Sequence, residues 1–415
     1  MAKTIDEPAR SIPVVAEYDV LVVGGGIAGV AAAIAAARSA ASVCLIERYC
    51  ALGGLATMGN VAIWLPLCDG MGHQVVGGLA EELLRLSVAD LRHDNTSARF
   101  RRVPDCWQPG GDPTDRAKHR YRVEFNPASY LLALEELVVD AGVRVLYDTR
   151  CCGVRRDGPR ITHVLVENKD GRCALACRTV IDATGDADVC HAAGERTVSL
   201  DSNVLSGWFY TMACGKLRLH QFSNPYDPEA RKQNARGPFF RGDCAEQVAQ
   251  HILQTRAGVR ERLRAIGAEH PDDDVHLVMP PMTACLRMTR RLVGRATLDA
   301  GHVHCWFDDA IGLTGDWRKA GPVFAIPFDT LRAVETVNLL AAGRCISVAN
   351  SAWDVLRAIP PCVVTGQAAG TAAAIACART DGRTDAVACD DLRSRLAAQG
   401  VLLDRALVAE GRTPG

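Results

Sequence analysis

The chain has 415 residues, of which 48% are hydrophobic, and its formal net charge at pH 7 is -1. This length is ample for a large core and for two intertwined domains. The near-neutral charge and an aromatic content of 5% argue against surfaces that bind nucleic acid or anionic membranes. Residues 1–16 are polar and lack the apolar segment of a secretory signal, so we expect a cytoplasmic protein.

The 17 cysteines are scattered along the chain without a C-x-x-C pair, and the histidines do not fall at zinc-finger spacing. We therefore expect free, mostly buried thiols in a reducing compartment and no metal site.

The first motif lies in residues 18–48, where an apolar strand, a glycine-rich turn, an alanine-rich helix and a second apolar strand follow one another. The turn has G-x-G-x-x-G spacing. Gly24 permits the tight turn, Gly26 lets the backbone approach a pyrophosphate, and Gly29 lets the helix pack close to the strand. Glu47 ends the second strand and is placed to accept hydrogen bonds from ribose hydroxyls. The pattern predicts dinucleotide binding; the alternative is a loop that only turns the chain.

Two adjacent glycines, Gly53 and Gly54, follow shortly after this acidic residue. A simple NAD-binding domain has no need of them, whereas an FAD-binding domain does, because the flavin half lies further along the same groove. The stretches GGLAT at 53–57 and HQVVGGLAEE at 73–82 resemble the FAD-dependent oxidoreductases of the two-dinucleotide-binding type, and most of all the bacterial FAD_oxidored family.

Further segments in the same order strengthen this resemblance over residues 18–380. They include ATGD at 183–186 after an apolar strand, the pair Gly343-Arg344 after another strand, and an apolar helix that begins near Pro360 with small residues at Gly366 and Gly370. No second G-x-G-x-x-G follows a strand, so we expect no separate NAD(P)H domain. Many relatives carry a histidine after the Gly-Arg pair, where this chain has Val-Ala-Asn at 348–350.

The resemblance implies FAD as the cofactor and a set of cofactor-binding residues on the glycine turns, the flanking strand ends and the start of the apolar helix. These are Gly24, Gly26, Ile27, Ala28, Gly29, Glu47, Arg48, Gly53, Gly54, Leu55, Ala56, Thr57, Cys152, Ala183, Thr184, Gly185, Gly343, Arg344, Arg357, Ile359 and Cys362. In the family, that helix points its N-terminus at the flavin pyrimidine.

The predicted fold class is α/β, with a discontinuous Rossmann-like FAD-binding domain of the glutathione-reductase type and an inserted α+β substrate domain. The FAD-binding domain comprises 17–90, 126–193 and 330–395, the substrate or cap region 91–125 and 194–329, and the tails 1–16 and 396–415. Hydrophobic periodicity also predicts helices over 78–89, 129–141, 244–266 and 390–398, and a strand meander over 150–181.

The candidate catalytic residues are His73, Arg287, Arg291 and Asp316. An arginine offers a planar fork to a substrate carboxylate, although such a run is more often a solvated face. His73 is the first general-base candidate because imidazole titrates near neutral pH, and a structural loop histidine is the alternative.

The predicted function is hydride transfer between flavin N5 and a small organic substrate, with an unknown electron donor or acceptor. The alternatives are an FAD-dependent monooxygenase or oxidase, and a non-catalytic or tRNA-modifying flavoprotein. We expect neither a nucleic-acid nor a membrane partner, and the oligomeric state stays open.

Overall fold

The computed structural model describes residue 5 and residues 9–89, 102–213, 215–271 and 274–410. Residues 91–101 of the predicted cap segment 91–125 lie outside the described residues. The elements of the N-terminal part are β1 (Val14–Val23), α1 (Ile27–Arg38), β2 (Val43–Ile46), β3 (Ile63–Trp64), α2 (Leu79–Ser87), β4 (Val123–Glu124), α3 (Pro127–Asp140), β5 (Arg144–Leu146), β6 (Arg150–Asp157), β7 (Arg160–Asn168) and β8 (Gly171–Asp182).

The middle of the chain contains α4 (Asp188–Ala192), β9 (Thr197–Ser199), β10 (Asn203–Val204), β11 (Phe209–Ala213), β12 (Lys216–His220), β13 (Phe239–Phe240), α5 (Ala245–Glu269), β14 (His276–Met279), β15 (Arg290–Leu292), β16 (Ala310–Gly315) and β17 (Val323–Pro327). The C-terminal part contains β18 (Leu339–Ala341), α6 (Asn350–Leu356), α7 (Ile359–Arg379) and α8 (Cys389–Ala398). The predicted helices and the meander are confirmed, with ends shifted by a few residues.

The central sheet has seven strands among the described residues, in the order β5-β2-β1-β8-β7-β6, and β18 also pairs with β8. β1 runs parallel to β2 and β8, and its last four residues are completely buried or nearly so. Such continuous apolar burial is typical of a parallel strand covered on both faces. The first half of β8 pairs antiparallel with β7, and its last three residues pair parallel with β18.

The parallel strands end at one edge of this sheet. Val23 of β1 pairs with Ile46 of β2 and with Asp182 of β8, and Ala341 of β18 pairs with Asp182 as well. The glycine turns and Glu47 follow these four strand ends directly. Ligands of open α/β sheets bind at the carboxyl ends of the strands, so this edge is where a cofactor is expected.

Two helices rich in small residues, α1 and α7, pack against each other over the sheet. A Cβ on Gly366 would lie 2.2 Å from the Ala28 carbonyl oxygen, and one on Gly370 would lie 2.1 Å from that of Ala32. The two backbones are therefore in direct contact, as predicted for the small face of this helix. α7 is long and apolar enough to span a membrane, but 94% of its most apolar window is buried inside the protein, which is the burial of a core helix.

The region 194–329 contains several two- and three-stranded sheets and the 25-residue helix α5. A separate small core of Phe209, Val259 and Ile266 lies here, whereas the β16–β17 hairpin belongs to the main core. The domain boundaries stay a prediction.

Candidate functional site

The first glycine turn leaves one face open. Gly24 has a φ of 105°, and a Cβ there would lie 2.5 Å from the Ala183 carbonyl oxygen. Gly29 is equally confined, because its Cβ would lie 1.8 Å from the Gly24 oxygen. A Cβ on Gly26, in contrast, would meet nothing within 4 Å. Gly26 is also the N-cap of α1 and has no side-chain cap, so the open space lies where unpaired helix amides can receive a phosphate.

The second glycine pair passes directly over this turn. The Gly53 amide donates to the Gly25 carbonyl at 2.8 Å, and a Cβ on Gly54 would lie 3.1 Å from Gly26 Cα. Both residues of the pair have positive φ, at 93° and 56°. Only glycine meets these requirements without strain. The predicted tight passage is therefore present in the structure.

Glu47 stabilises the turn through both of its carboxylate oxygens. Its Oε2 accepts the Gly25 amide at 2.6 Å and its Oε1 accepts the Tyr49 amide at 2.9 Å. Burial raises the pKa of this carboxyl group. The sequence analysis assigned Glu47 to the ribose alone. Its hydrogen bonds to the Gly25 and Tyr49 amides could be seen only in the structure. Each carboxylate oxygen accepts more than one hydrogen bond, so ribose binding stays a prediction.

Two other predicted cofactor residues, Arg48 and Cys152, are close to Glu47 in the sequence or in the fold. Arg48 is exposed, with its guanidinium 5.0 Å from the ring centre of Tyr49. Cys152 lies at a β-bulge of β6, three residues after Thr149, whose amide donates to the Glu47 carbonyl at 3.0 Å. The bulge re-aims the backbone next to the predicted adenosine end.

The third glycine turn is covered by Arg344. A Cβ on Gly185 would lie 2.4 Å from the Arg344 Nη2, and the same guanidinium lies 3.7 Å from Asp186 Oδ1. That carboxylate oxygen is buried and has no hydrogen-bond partner among the described residues. The Thr184 hydroxyl donates a hydrogen bond to Asp182 Oδ1 at 2.7 Å. A buried carboxylate oxygen without a hydrogen bond beside a glycine turn is what a site for a polar ligand would show.

Gly343 and the start of α7 close the site. Gly343 has a φ of 79°, a Cβ there would lie 2.8 Å from that of Ala28, and its amide donates to the Thr365 hydroxyl. The amide of Cys362 donates to the Ala358 carbonyl at 3.1 Å, so it is used inside the helix, and contact of this residue with the cofactor stays a prediction. Burial also raises the pKa of the Cys362 thiol to about 12, so it stays protonated.

Pro360 and Pro361 have no N–H group. With the amide of Cys362 used inside the helix, the Ile359 amide is the donor that the first turn of α7 can offer to a ligand. The helix is long enough for its N-terminus to carry a partial positive charge.

A group of charged and polar side chains gathers around Asp354 and Arg357, the two members that lie just before α7 in the chain. We call Tyr226, Arg287, Arg318, Asp354 and Arg357 the arginine cluster. The guanidiniums of Arg287 and Arg357 lie 4.5 Å and 5.6 Å from the ring centre of Tyr226. The Tyr226 hydroxyl is 3.3 Å from Asp354 Oδ2, and Arg357 donates to Asp354 Oδ1.

Asp316, a predicted site residue, joins this cluster through Arg318. The two form a bidentate pair at 2.9 and 2.8 Å, and Arg318 Nη1 lies 3.6 Å from Asp354 Oδ2. Both aspartates are almost completely buried. The indole nitrogen of Trp317 donates to the Asp354 carbonyl at 3.3 Å. The 316–317 loop is thus part of the arginine cluster, and a role of Asp316 in catalysis stays a prediction.

Arg287 carries the excess positive charge of the cluster. Its Nη2 donates to the Ser223 hydroxyl at 3.1 Å, and no carboxylate lies within ion-pair distance of it among the described residues. Burial lowers the pKa of Arg287 to about 10, and the positive charge of Arg357 adds to this effect. The site is therefore electropositive and can hold an anion.

Two other predicted catalytic residues lie outside this arrangement. Arg291 is part of β15, donates to the Leu292 carbonyl at 3.0 Å, and has its pKa lowered by burial and by Arg196. His73 Nδ1 lies 3.0 Å from Asp69 Oδ2. The backbone carbonyl of Asp69 accepts a hydrogen bond from the Gly321 amide. His73 thus lies on a loop beside the β16–β17 turn, and no hydrogen bond joins it to the cluster in the described part of the chain. Roles for both in catalysis remain predictions.

Sequence reasoning missed Tyr226, Arg318 and Asp354. Asp354 and Arg357 are spaced i,i+3 on one helical turn, which is a usable signal for an ion pair. Arg318 adjoins the predicted Asp316-Trp317 pair. Tyr226 lies in a loop without periodicity, and nothing in its neighbourhood in sequence marks it.

The chain belongs to the FAD dependent oxidoreductase family, whose model matches residues 19–204 and 220–396. It is accordingly an enzyme and a flavoprotein that uses FAD. The residues described above fit this cofactor, with an open Gly26, close glycine turns and the start of α7 along one groove. Among curated proteins, no sequence matches the chain.

Several solved structures are similar at low identity. A geranylgeranyl bacteriochlorophyll reductase-like protein from Thermoplasma acidophilum is 13% identical, with 92% of this chain and 82% of that chain covered and a TM-score of 0.46. CabE, an aromatic hydroxylase from angucycline biosynthesis, is 15% identical, with 92% and 68% covered and a TM-score of 0.43. A flavocytochrome c3 fumarate reductase in an open conformation is 15% identical, with 87% and 78% covered and a TM-score of 0.39. These likenesses do not define the reaction of this chain.

Proposed function

We propose that this enzyme transfers a hydride between flavin N5 and a small polar organic substrate that lies against the arginine cluster. The observation that supports this most is the position of that cluster, which directly precedes the helix start predicted to face the flavin. FAD supplies the two-electron chemistry, and the protein binds, orients and shields the reactants.

The residues divide these tasks. Gly26 and the helix start of α1 hold the pyrophosphate, and Glu47 holds the ribose. The Ile359 amide and the positive end of α7 would hold the flavin pyrimidine, and this partial positive charge would stabilise negative charge on the bound cofactor. Arg287 and Arg357 orient the substrate, and Asp354 fixes the second of these arginines.

Monooxygenation of an apolar aromatic substrate is less compatible with this site. Three arginines and two almost completely buried aspartates lie in and beside the cluster, and an apolar ring would leave the excess positive charge of Arg287 without solvent or a counter-ion. A small polar substrate would satisfy them. The charged lining therefore favours the dehydrogenase or reductase reading.

Three further proposals accompany this function. The FAD-binding domain is of the glutathione-reductase type, and the region 194–329 is an inserted substrate domain. The protein acts in the cytoplasm without a nucleic-acid or membrane partner. Its electron donor or acceptor is a separate molecule, because no second dinucleotide motif follows the first.

The test is anaerobic mixing of the purified FAD-loaded enzyme with small hydroxy acids, amino acids and alcohols, while the oxidised flavin absorbance is followed. We expect bleaching by one substrate group, and return of the colour with an external acceptor. If no such compound bleaches the flavin, and the chemically reduced enzyme instead hydroxylates a substrate only with oxygen, the hydride-transfer proposal is overturned.

A further inference from the structure

We propose that Arg287 is the residue that binds the substrate anion, with Arg357 as a second donor, and that the substrate is a small carboxylic acid. This inference rests on the proposed function, since it assigns the substrate class of the same site. It concerns binding, however, and can be tested without any turnover.

The pairing of neighbouring arginines singles out Arg287. Each of four other arginines around the site has an aspartate partner: Arg290 with Asp188, Arg318 with Asp316, Arg344 with Asp186, and Arg357 with Asp354. Arg287 is half-buried, and within the described part of the chain its side chain has the Ser223 hydroxyl and the Tyr226 ring as partners but no carboxylate. A desolvated cation without a counter-ion is unfavourable, so a bound anion would stabilise it.

The position of this guanidinium is fixed before any ligand binds. Asn203 Oδ1 accepts the backbone amides of Arg287 and Met288 at 2.7 and 3.2 Å. The Tyr226 ring lies against the guanidinium at 4.5 Å. One contact to Ser223 uses one of the five N–H groups of an arginine, so donors remain for a bidentate carboxylate. Preorganisation of this kind improves affinity because little side-chain entropy is lost on binding.

The anion site adjoins the cofactor groove. Arg344, which covers Gly185, donates to the Leu286 and Arg287 carbonyls at 2.8 and 3.3 Å. On the other side, the Tyr226 ring connects Arg287 to Arg357, which precedes the N-cap of α7 by one residue. A carboxylate on Arg287 would therefore hold the rest of a small substrate beside the predicted flavin position.

The charge of the cluster favours a monoanion. With Asp316 included, three arginines face two aspartates, which leaves one positive charge in excess. A carboxylate carries one negative charge, whereas a phosphate monoester carries about 1.5 to 2 at neutral pH. A planar carboxylate also matches the fork of one guanidinium.

The test uses the FAD-loaded protein and four probes: acetate, glycolate, benzoate and inorganic phosphate. Binding is measured by calorimetry and by the change in the flavin absorbance spectrum. We expect at least one carboxylate to bind and to perturb the flavin, and phosphate to bind more weakly. The variant Arg287→Gln removes the charge and should weaken carboxylate binding by about 10- to 100-fold, because charge-assisted hydrogen bonds are lost.

Arg256→Gln is the matched control, because Arg256 is a half-buried arginine of α5 that donates to a backbone carbonyl, that of Pro281. It should bind the carboxylate like the wild type. Arg287→Lys keeps a charge without the fork and should give intermediate affinity; it also serves if Arg287→Gln does not retain FAD.

The inference is overturned if no carboxylate binds, if phosphate binds more tightly than every carboxylate, or if the Arg287 variants bind like the wild type. Failure of the proposed function would look different. Carboxylates would then bind and depend on Arg287, but no compound would bleach the flavin anaerobically.

Discussion

The cofactor groove and the arginine cluster are adjacent but are built in different ways. The groove consists of main chain: four strand ends, three glycine turns and two helix starts. The cluster consists of side chains from segments near residues 226, 287, 318 and 354–357, which are far apart in the chain. Recognition by backbone tolerates changes of side-chain chemistry but not an added Cβ. Recognition by side chains tolerates small shifts of backbone but not the loss of one charge.

The largest effect is expected from removing the central acid of the cluster. Asp354 is fully buried and contacts Arg357, Arg318 and the Tyr226 hydroxyl. Asp354→Ala would leave Arg357, whose side chain is 16% exposed, without a carboxylate partner, and Arg318 with Asp316 alone, which costs about 3–5 kcal/mol of unfolding free energy. Urea unfolding of the wild type and of Asp354→Ala measures this loss of free energy.

Asp105→Ala is the control for this prediction, because the Asp105 side chain is 81% exposed although it also pairs with an arginine, Arg102. We expect a loss below about 1 kcal/mol there. Equal losses for the two variants would contradict the idea that the cluster is a buried charge network.

His251 makes the region around the cluster sensitive to acid. Its side chain is fully buried, its Nε2 bonds to the Val204 carbonyl, and its Nδ1 has no partner in the described residues. Burial lowers the pKa of His251 to about 4 from 6.5. Because the unfolded chain takes up the proton first, stability falls as the pH drops from 6.5 towards 4, by about 3 kcal/mol in all.

The check is the urea midpoint of wild type and His251→Gln between pH 7 and pH 4.5. The variant should lose less stability over this interval than the wild type. Parallel curves would show that His251 does not contribute to the acid sensitivity.

Gly366→Ala tests the backbone contact between α7 and α1. The added Cβ would lie 2.2 Å from the Ala28 oxygen, so the helices must separate, at a cost of about 1–3 kcal/mol. FAD retention should fall together with the melting temperature, and Gly366→Val should do more.

Gly267→Ala in α5 is the matched control, because a Cβ there meets nothing within 4 Å. It should stabilise the protein by up to about 1 kcal/mol through helix propensity. Opposite signs for the two substitutions are the expected result, and destabilisation of similar size in both would contradict the close packing.

Glu47→Ala should give the smallest of these effects on folding, but a clear one on the cofactor. It removes the acceptor for the Gly25 and Tyr49 amides and for the ribose. We expect FAD binding to weaken by about 1.5–3 kcal/mol for each charge-assisted bond lost. The measurement is FAD affinity by fluorescence on reconstitution. Unchanged affinity would show that Glu47 serves the turn alone.

The two regions also differ in how far the sequence revealed them. Gly24, Gly26, Gly29, Gly53 and Gly366 could be assigned because each role depends on the lack of a Cβ within a short pattern. The same patterns located the cofactor edge of the sheet. The internal hydrogen bond of the Cys362 amide could not be read from the sequence, because the residue at which a helix begins depends on the conformation of the residues before it.

The cluster was accessible only in part. Arg287 and Asp316 were singled out by residue type, but so were Arg291 and His73, which the structure places elsewhere. Contacts such as Tyr226 with Arg287 depend on long-range packing that no local period encodes. Tyr226 could therefore not be found before the fold was known.

The most direct measurement is a crystal structure of the protein with FAD bound. We expect the flavin pyrimidine edge over residues 357–363, with N1 or the adjacent C2 oxygen about 3 Å from the Ile359 amide, and Arg287 and Arg357 open to the space beside N5. A flavin N1 more than about 6 Å from the start of α7, twice a normal hydrogen-bond length, would contradict the proposed position of the substrate site.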